Sequence, residues 1–151
     1  MQKEYITQTK NGGTNDCVGV TLVNYLTSLG DFEEAEELQK RFSTHPFFDI
    51  NEGVRLDRIG PLLRDLTAGK YYGEVRLITE KEKIERPCVL ILDWNPKEQK
   101  NQGHAILLDE NGQLIDNGNP TGIYTSTLEA RAIVEIEKAR QNLREYTNFT
   151  P

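Results

Sequence analysis

The chain is poor in cysteine and histidine, with two of each in 151 residues. No CxxC or HxxxH spacing occurs, which argues against a zinc site, and no cofactor is expected. The two cysteines stand in different surroundings. Cys17 lies among small polar residues, and Cys88 lies in Pro87-Cys88-Val89-Leu90-Ile91-Leu92. One reactive thiol and one packed thiol fit these contexts better than a disulfide does. No apolar run approaches the roughly 20 residues of a membrane-spanning helix. The first residues, MQKEYITQTK, lack the apolar core of a signal peptide. The expected location is therefore cytoplasmic, or that of a secreted effector without a visible signal. Basic residues are outnumbered, 18 against 24 acidic, for a net charge of −6. That balance argues against a nucleic-acid partner.

The chain also lacks internal repeats, low-complexity tracts and linkers. One domain over residues 1–151 is expected, long enough to bury a core. Residues 11–16, Asn-Gly-Gly-Thr-Asn-Asp, are turn-forming. Val18, Leu22, Val23, Tyr25, Leu26 and Leu29 then recur at helical spacing before Gly30. That helix is apolar almost all round and should be buried, with Asn15 or Asp16 as its cap. Asp31 should cap a second, amphipathic helix through about Phe42, and residues 43–53 read as a loop. A third helix is expected through Leu56, Ile59, Leu62, Leu63 and Leu66, with Pro61 marking a break or a late start. Strands follow at Tyr72–Ile78 and Pro87–Trp94, the latter central. Two more, His104–Asp109 and Gln113–Asn117, flank Asn111-Gly112. Ser126-Thr-Leu-Glu129 fits a capping box. The spacing of Leu128, Ala132, Ile136, Ala139 and Leu143 predicts a helix over 127–145. A strand over 132–136 competes with it. Helices first and an antiparallel sheet after them make an α+β domain.

Cys17 stands where a polar loop enters an apolar helix. Unpaired backbone N–H groups and the helix dipole there favour a thiolate and can donate to a developing oxyanion. A thiolate needs a histidine from a distant segment on a rigid element. His104, in Gly103-His104-Ala105-Ile106-Leu107-Leu108, is placed that way. His45 lies in a Pro-Phe-Phe loop with no partner in view. Hairpin register chooses the third member. A two-residue Asn-Gly turn places Asn117 or Asn119 on the face of His104. A three-residue loop, Glu110-Asn111-Gly112 with Gly112 left-handed, places Asp116 there. The sequence fits the three-residue form, so Asp116 is preferred and Asn117 is the alternative. Either would orient the imidazole. Trp94 and the polar stretch 95–102 precede His104; Trp94 is a candidate wall of a substrate cleft, or a packing residue.

The segment Thr14 to Gly30, with Asn15-Asp16-Cys17-Val18-Gly19, resembles the nucleophile helix of papain-like cysteine peptidases. Within them it is most similar to bacteriocin-processing, double-glycine-leader peptidases without a transporter. Gly103-His104-Ala105 followed by Leu114-Ile115-Asp116 resembles their histidine and acidic strands, and papain-fold toxin domains have a similar arrangement. The resemblance implies a papain-like fold, its nucleophile helix packed on a C-terminal antiparallel sheet. It further implies a Cys17–His104–Asp116 triad acting on a peptide or protein substrate through an acyl-enzyme. That family's oxyanion glutamine corresponds to Gln8, which lies farther from the cysteine than usual, and Asn15 is a further polar candidate beside the thiol. Val18 stands where the family has glycine, a change that would narrow the site. Deamidation or acyl transfer on a protein target is the alternative chemistry, and a binding protein that lost its activity is a further one.

Overall fold

A computed structural model of the chain describes residues 5–7, 16–49, 52–79, 83–92, 103–123 and 132–139. Among these residues, three helices form: α1 (Cys17–Leu29), α2 (Phe32–Arg41) and α3 (Ile59–Leu66). The strands are β1 (Phe48–Asp49), β2 (Gly53–Val54), β3 (Tyr71–Leu77), β4 (Cys88–Leu92), β5 (His104–Leu108), β6 (Gln113–Asp116), β7 (Asn119–Ile123) and β8 (Ala132–Lys138). β1 and β2 form a small ribbon inside the stretch expected to be a loop. The other six make one antiparallel sheet in the order β3-β8-β4-β5-β6-β7. The architecture is α+β. No described helix is long and apolar enough to cross a membrane.

α1 is buried along most of its length, as its all-round apolar character requires. Gly30 closes it at φ 85°, a left-handed conformation that glycine adopts without steric cost. The cap at the other end differs from expectation. Asp16 occupies the N-cap position, but its side chain accepts no capping hydrogen bond. Asn15, the other candidate cap, is outside the described residues. α2 does begin at a capping residue: Asp31 accepts from the Glu34 N–H at 3.5 Å. It also accepts from Tyr71 Oη at 2.8 Å and pairs with Lys70 Nζ at 2.7 Å. A 3-10 turn, Leu56–Arg58, leads into α3. Pro61 then falls in the first turn, where no intrahelical N–H bond is lost.

The main core lies between the helices and one face of the sheet. Leu22, Leu26, Leu38, Ile59, Leu62 and Leu66 meet Val89, Ile91, Ala105, Leu107 and Val134 there. Alternate residues of the same strands, Leu90, Ile106, Leu108 and Ile133, form a second cluster with Leu114 and Cys88. Burying each such aliphatic side chain is worth about 1.5–3 kcal/mol against leaving it in water.

Two elements depart from the sequence reading. The helix expected over 127–145 is, at Ala132–Lys138, strand β8, so the competing assignment is the observed one. Tertiary placement overrides the helical spacing, because β8 lies between β3 and β4. Ala132 and Val134 enter the main core and Ile133 the second cluster. Both faces of β8 are covered at this end of the strand, and β-branched residues fit such a buried pleat. The capping-box segment 126–129 lies outside the described residues. Strand β7 lies beyond Gln113–Asn117, the last strand expected of the hairpin.

Candidate functional site

The site begins with how α1 is held against β5. Thr21, one turn after Cys17, donates its hydroxyl to the Ala105 carbonyl at 3.1 Å. Ala105 follows His104 in the chain, so this bond ties the start of α1, beside Cys17, to the strand that carries His104. Cys17 is the first residue of α1 and is half-buried. The backbone N–H groups of that first turn have no partner within the helix.

His104 opens β5 and is half-buried. Its Nε2 lies 2.6 Å from Asp116 Oδ1, and the Cys17 side chain is close enough to act on the ring's proton affinity. The contact with Cys17 is the largest influence on the imidazole. Burial opposes it, Asp116 adds to it, and His104 is pushed up from its ordinary 6.5 to about 9. The site therefore favours an imidazolium at neutral pH, between one acid and one thiol.

Register explains why Asp116 and not Asn117 is the partner. Leu107 pairs with Ile115 and Leu108 with Leu114. The Asp109 N–H donates to the Gln113 carbonyl at 2.9 Å, leaving Glu110-Asn111-Gly112 as a three-residue loop with Gly112 at φ 81°. Asp109 holds that loop, its Oδ1 accepting from the Asn111 and Gln113 N–H groups, each at 2.9 Å. Asp116 then shares a face with His104. Asn117 stands in the next turn, and its Oδ1 is buried without a hydrogen-bond partner. The turn Asn117-Gly118, with φ 49° and 86°, has positive φ at both central residues and joins β6 to β7. Asn-Gly is the strongest two-residue hairpin signal, and this second copy of it would have revealed β7.

The segment 5–7 packs beside the site. Ile6 exchanges two hydrogen bonds with the Asn24 side chain, both at 2.9 Å. Tyr5 Oη donates to Asp109 Oδ2 at 3.2 Å. Gly118 abuts the Ile6 carbonyl so closely that a Cβ there would sit 1.9 Å from it. Thr7, at the end of this segment, lines a recess together with Asp116. Gln8, Asn15 and Trp94 lie outside the described residues. Val18 is 3% exposed and belongs to the main core, against which Cys17 also packs.

The other histidine does have a partner. His45 Nε2 lies 2.5 Å from Asp65 Oδ2, and Nδ1 accepts the Phe47 N–H at 3.1 Å. Both nitrogens are therefore occupied, and the ring ties its loop to α3. Cys88 is buried, and both cysteines are free thiols. A recess of about 820 Å³ between α3 and β3 includes none of Cys17, His104 and Asp116. Sequence reasoning missed Thr21, Asn24 and Asp109. Each works mainly through backbone groups, and no residue pattern announces a backbone partner.

No family model, curated protein or solved structure matches this chain.

Proposed function

We propose that the chain is a papain-like cysteine hydrolase acting on peptide or amide bonds. The observation that carries this reading is the contact of one imidazole with both the Cys17 side chain and Asp116. Such an arrangement serves nucleophilic catalysis. In this reading the Cys17 thiolate attacks the substrate carbonyl carbon, with the proton held on His104. The Cys17 backbone N–H, with Gln8 as a second donor, stabilises the oxyanion; one such donor is commonly worth about 3 kcal/mol of barrier. Collapse expels the amine, which takes its proton from His104. The neutral imidazole then deprotonates water, and hydroxide attack on the thioester releases the acid and the thiol. Asp116 holds the ring in one tautomer throughout.

Trapping the acyl-enzyme tests this reading. Mixing the protein with p-nitrophenyl acetate should release a burst of one p-nitrophenolate per chain and leave an acetyl group on the Cys17 peptide in the mass spectrum. Cys17→Ala should abolish the burst, and His104→Ala should slow it at least about 100-fold. A burst that survives Cys17→Ala, or that keeps its rate in His104→Ala, contradicts the proposal. On a protein target, mass separates the chemistries: a cut chain, a gain of about one dalton for deamidation, or a new isopeptide link for acyl transfer.

A further inference from the structure

Asp116, the partner of His104, also lines a recess of about 540 Å³ whose other described lining residues are Thr7, Asn117, Asn119 and Thr121. Its composition is unlike that of the core. No aliphatic or aromatic residue contributes among the described ones, and the one ionisable group, Asp116, is already engaged by His104. A cationic side chain entering here would compete with His104 for Asp116, and an anionic one would meet the Asp116 carboxylate. A neutral group with both donors and acceptors suits two carboxamides and two hydroxyls.

The walls are built, not incidental. Asn117 and Gly118 form a tight turn with positive φ, and Gly118 is pressed against the Ile6 carbonyl. Ile6 is in turn clamped by Asn24, which holds the neighbouring Thr7 in the lining. Thr121 Oγ1 donates to the Leu114 carbonyl at 3.3 Å. Within this frame Asn117 Oδ1 has no donor. A buried acceptor left unpaired costs about 1–3 kcal/mol, and a ligand N–H brought to it by a small rotation of the amide would remove that cost.

We infer that this recess is a subsite for a substrate residue whose side chain ends in a carboxamide, glutamine or asparagine, close to the bond that Cys17 attacks. The carboxamide N–H₂ donates to Asn117 Oδ1, and its oxygen accepts from the Asn119 amide or the Thr7 hydroxyl. This inference rests on the hydrolase reading for the identity of the attacked bond, but its binding step is independent of catalysis.

The test is an NMR titration of the ¹⁵N-labelled Cys17→Ala chain with acetyl-Ala-X-Ala-methylamide peptides in which X is Gln, Glu, Lys or Leu. The glutamine peptide should give saturable shifts at the amides of Asn117, Gly118, Asn119 and Thr121. Its affinity should exceed that of the leucine peptide by at least about fivefold, the value of one hydrogen bond, with glutamate and lysine no tighter than leucine. Asn119→Ala, in a chain whose remaining spectrum is unchanged, should remove the preference. Equal affinities for the four peptides, the absence of saturable shifts at the recess, or a preference that survives Asn119→Ala each overturns the inference. None of those results touches the acyl-enzyme experiment, which fails or succeeds separately.

Discussion

At the scale of single residues, His104 is the group whose state is most sharply defined. Its position near pH 9 comes first from Cys17 and then from Asp116. Removing the acid should therefore lower the imidazole's proton affinity without abolishing it. In an NMR titration of the ring protons, Asp116→Ala should move the His104 midpoint down from about 9. Asp116→Asn, which keeps an acceptor but loses the charge, should fall between the two. A midpoint unchanged in Asp116→Ala would show that the 2.6 Å contact has no electrostatic consequence. His45 makes the contrast. Its two ring nitrogens serve Asp65 and the Phe47 N–H, so His45→Ala should lower stability by about 1 kcal/mol and leave Cys17 reactivity unchanged. The two histidines were separable in the sequence only in part. A histidine at a strand mouth and a thiol at a helix start are local patterns with local physical reasons. Asp65 lies on another element, and nothing short of the fold brings it to His45.

Elements carry the next level of precision. The Thr21 hydroxyl holds α1 to β5 beside His104. Thr21→Val keeps the shape and loses the bond, leaving one carbonyl lone pair without its donor. A destabilisation of about 1–2 kcal/mol in urea unfolding is expected, with slower alkylation of Cys17 in the folded chain. Wild-type alkylation in a destabilised variant would show that the tie does not position the thiol. Gly118→Ala should be harsher. The left-handed φ of 86° and the Ile6 carbonyl both exclude a Cβ, so segment 5–7 must shift. Most of this element plan was readable. The buried helix α1, the Asp31 cap, the central strand and the three-residue hairpin follow from periodicity, capping and turn chemistry. β8 was not, because its helical spacing of apolar residues and its β-branched content point in opposite directions. Only its place between two strands decides the matter. β7 is hard to read for a different reason: Asn117-Gly118 supplies a hairpin turn, but Pro120 and Gly122 weaken the strand signal that follows it.

For the molecule as a whole, the linked groups predict how stability follows pH. His104 binds its proton more tightly folded than unfolded. Its contribution is thus complete below the unfolded value of about 6.5 and declines as pH rises, disappearing above about 9. Asp31 acts at the other end. Burial raises it, but the hydrogen bonds from Lys70, Tyr71 and the Glu34 N–H outweigh burial and hold it below the usual carboxylate range. Its contribution is present above that range and is lost as pH falls. Thermal unfolding of wild type and His104→Ala from pH 5 to 10 should show a stability gap that narrows as pH rises. A gap that is constant or widens with pH would contradict the assignment.

The central claim is that Cys17 and His104 act as one unit, and the rate of Cys17 alkylation by iodoacetamide tests it most directly. An ordinary thiol, with a pKa of about 8.5, is almost wholly protonated at pH 6. A thiolate held by the His104 imidazolium is not. Followed by peptide mass from pH 5 to 9, wild-type Cys17 should already react quickly at pH 6. His104→Ala should slow that reaction at least about tenfold and restore a profile that rises only near pH 8–9. Buried Cys88 serves as the internal control. Identical profiles in the two proteins, both rising only near pH 8–9, would contradict the account.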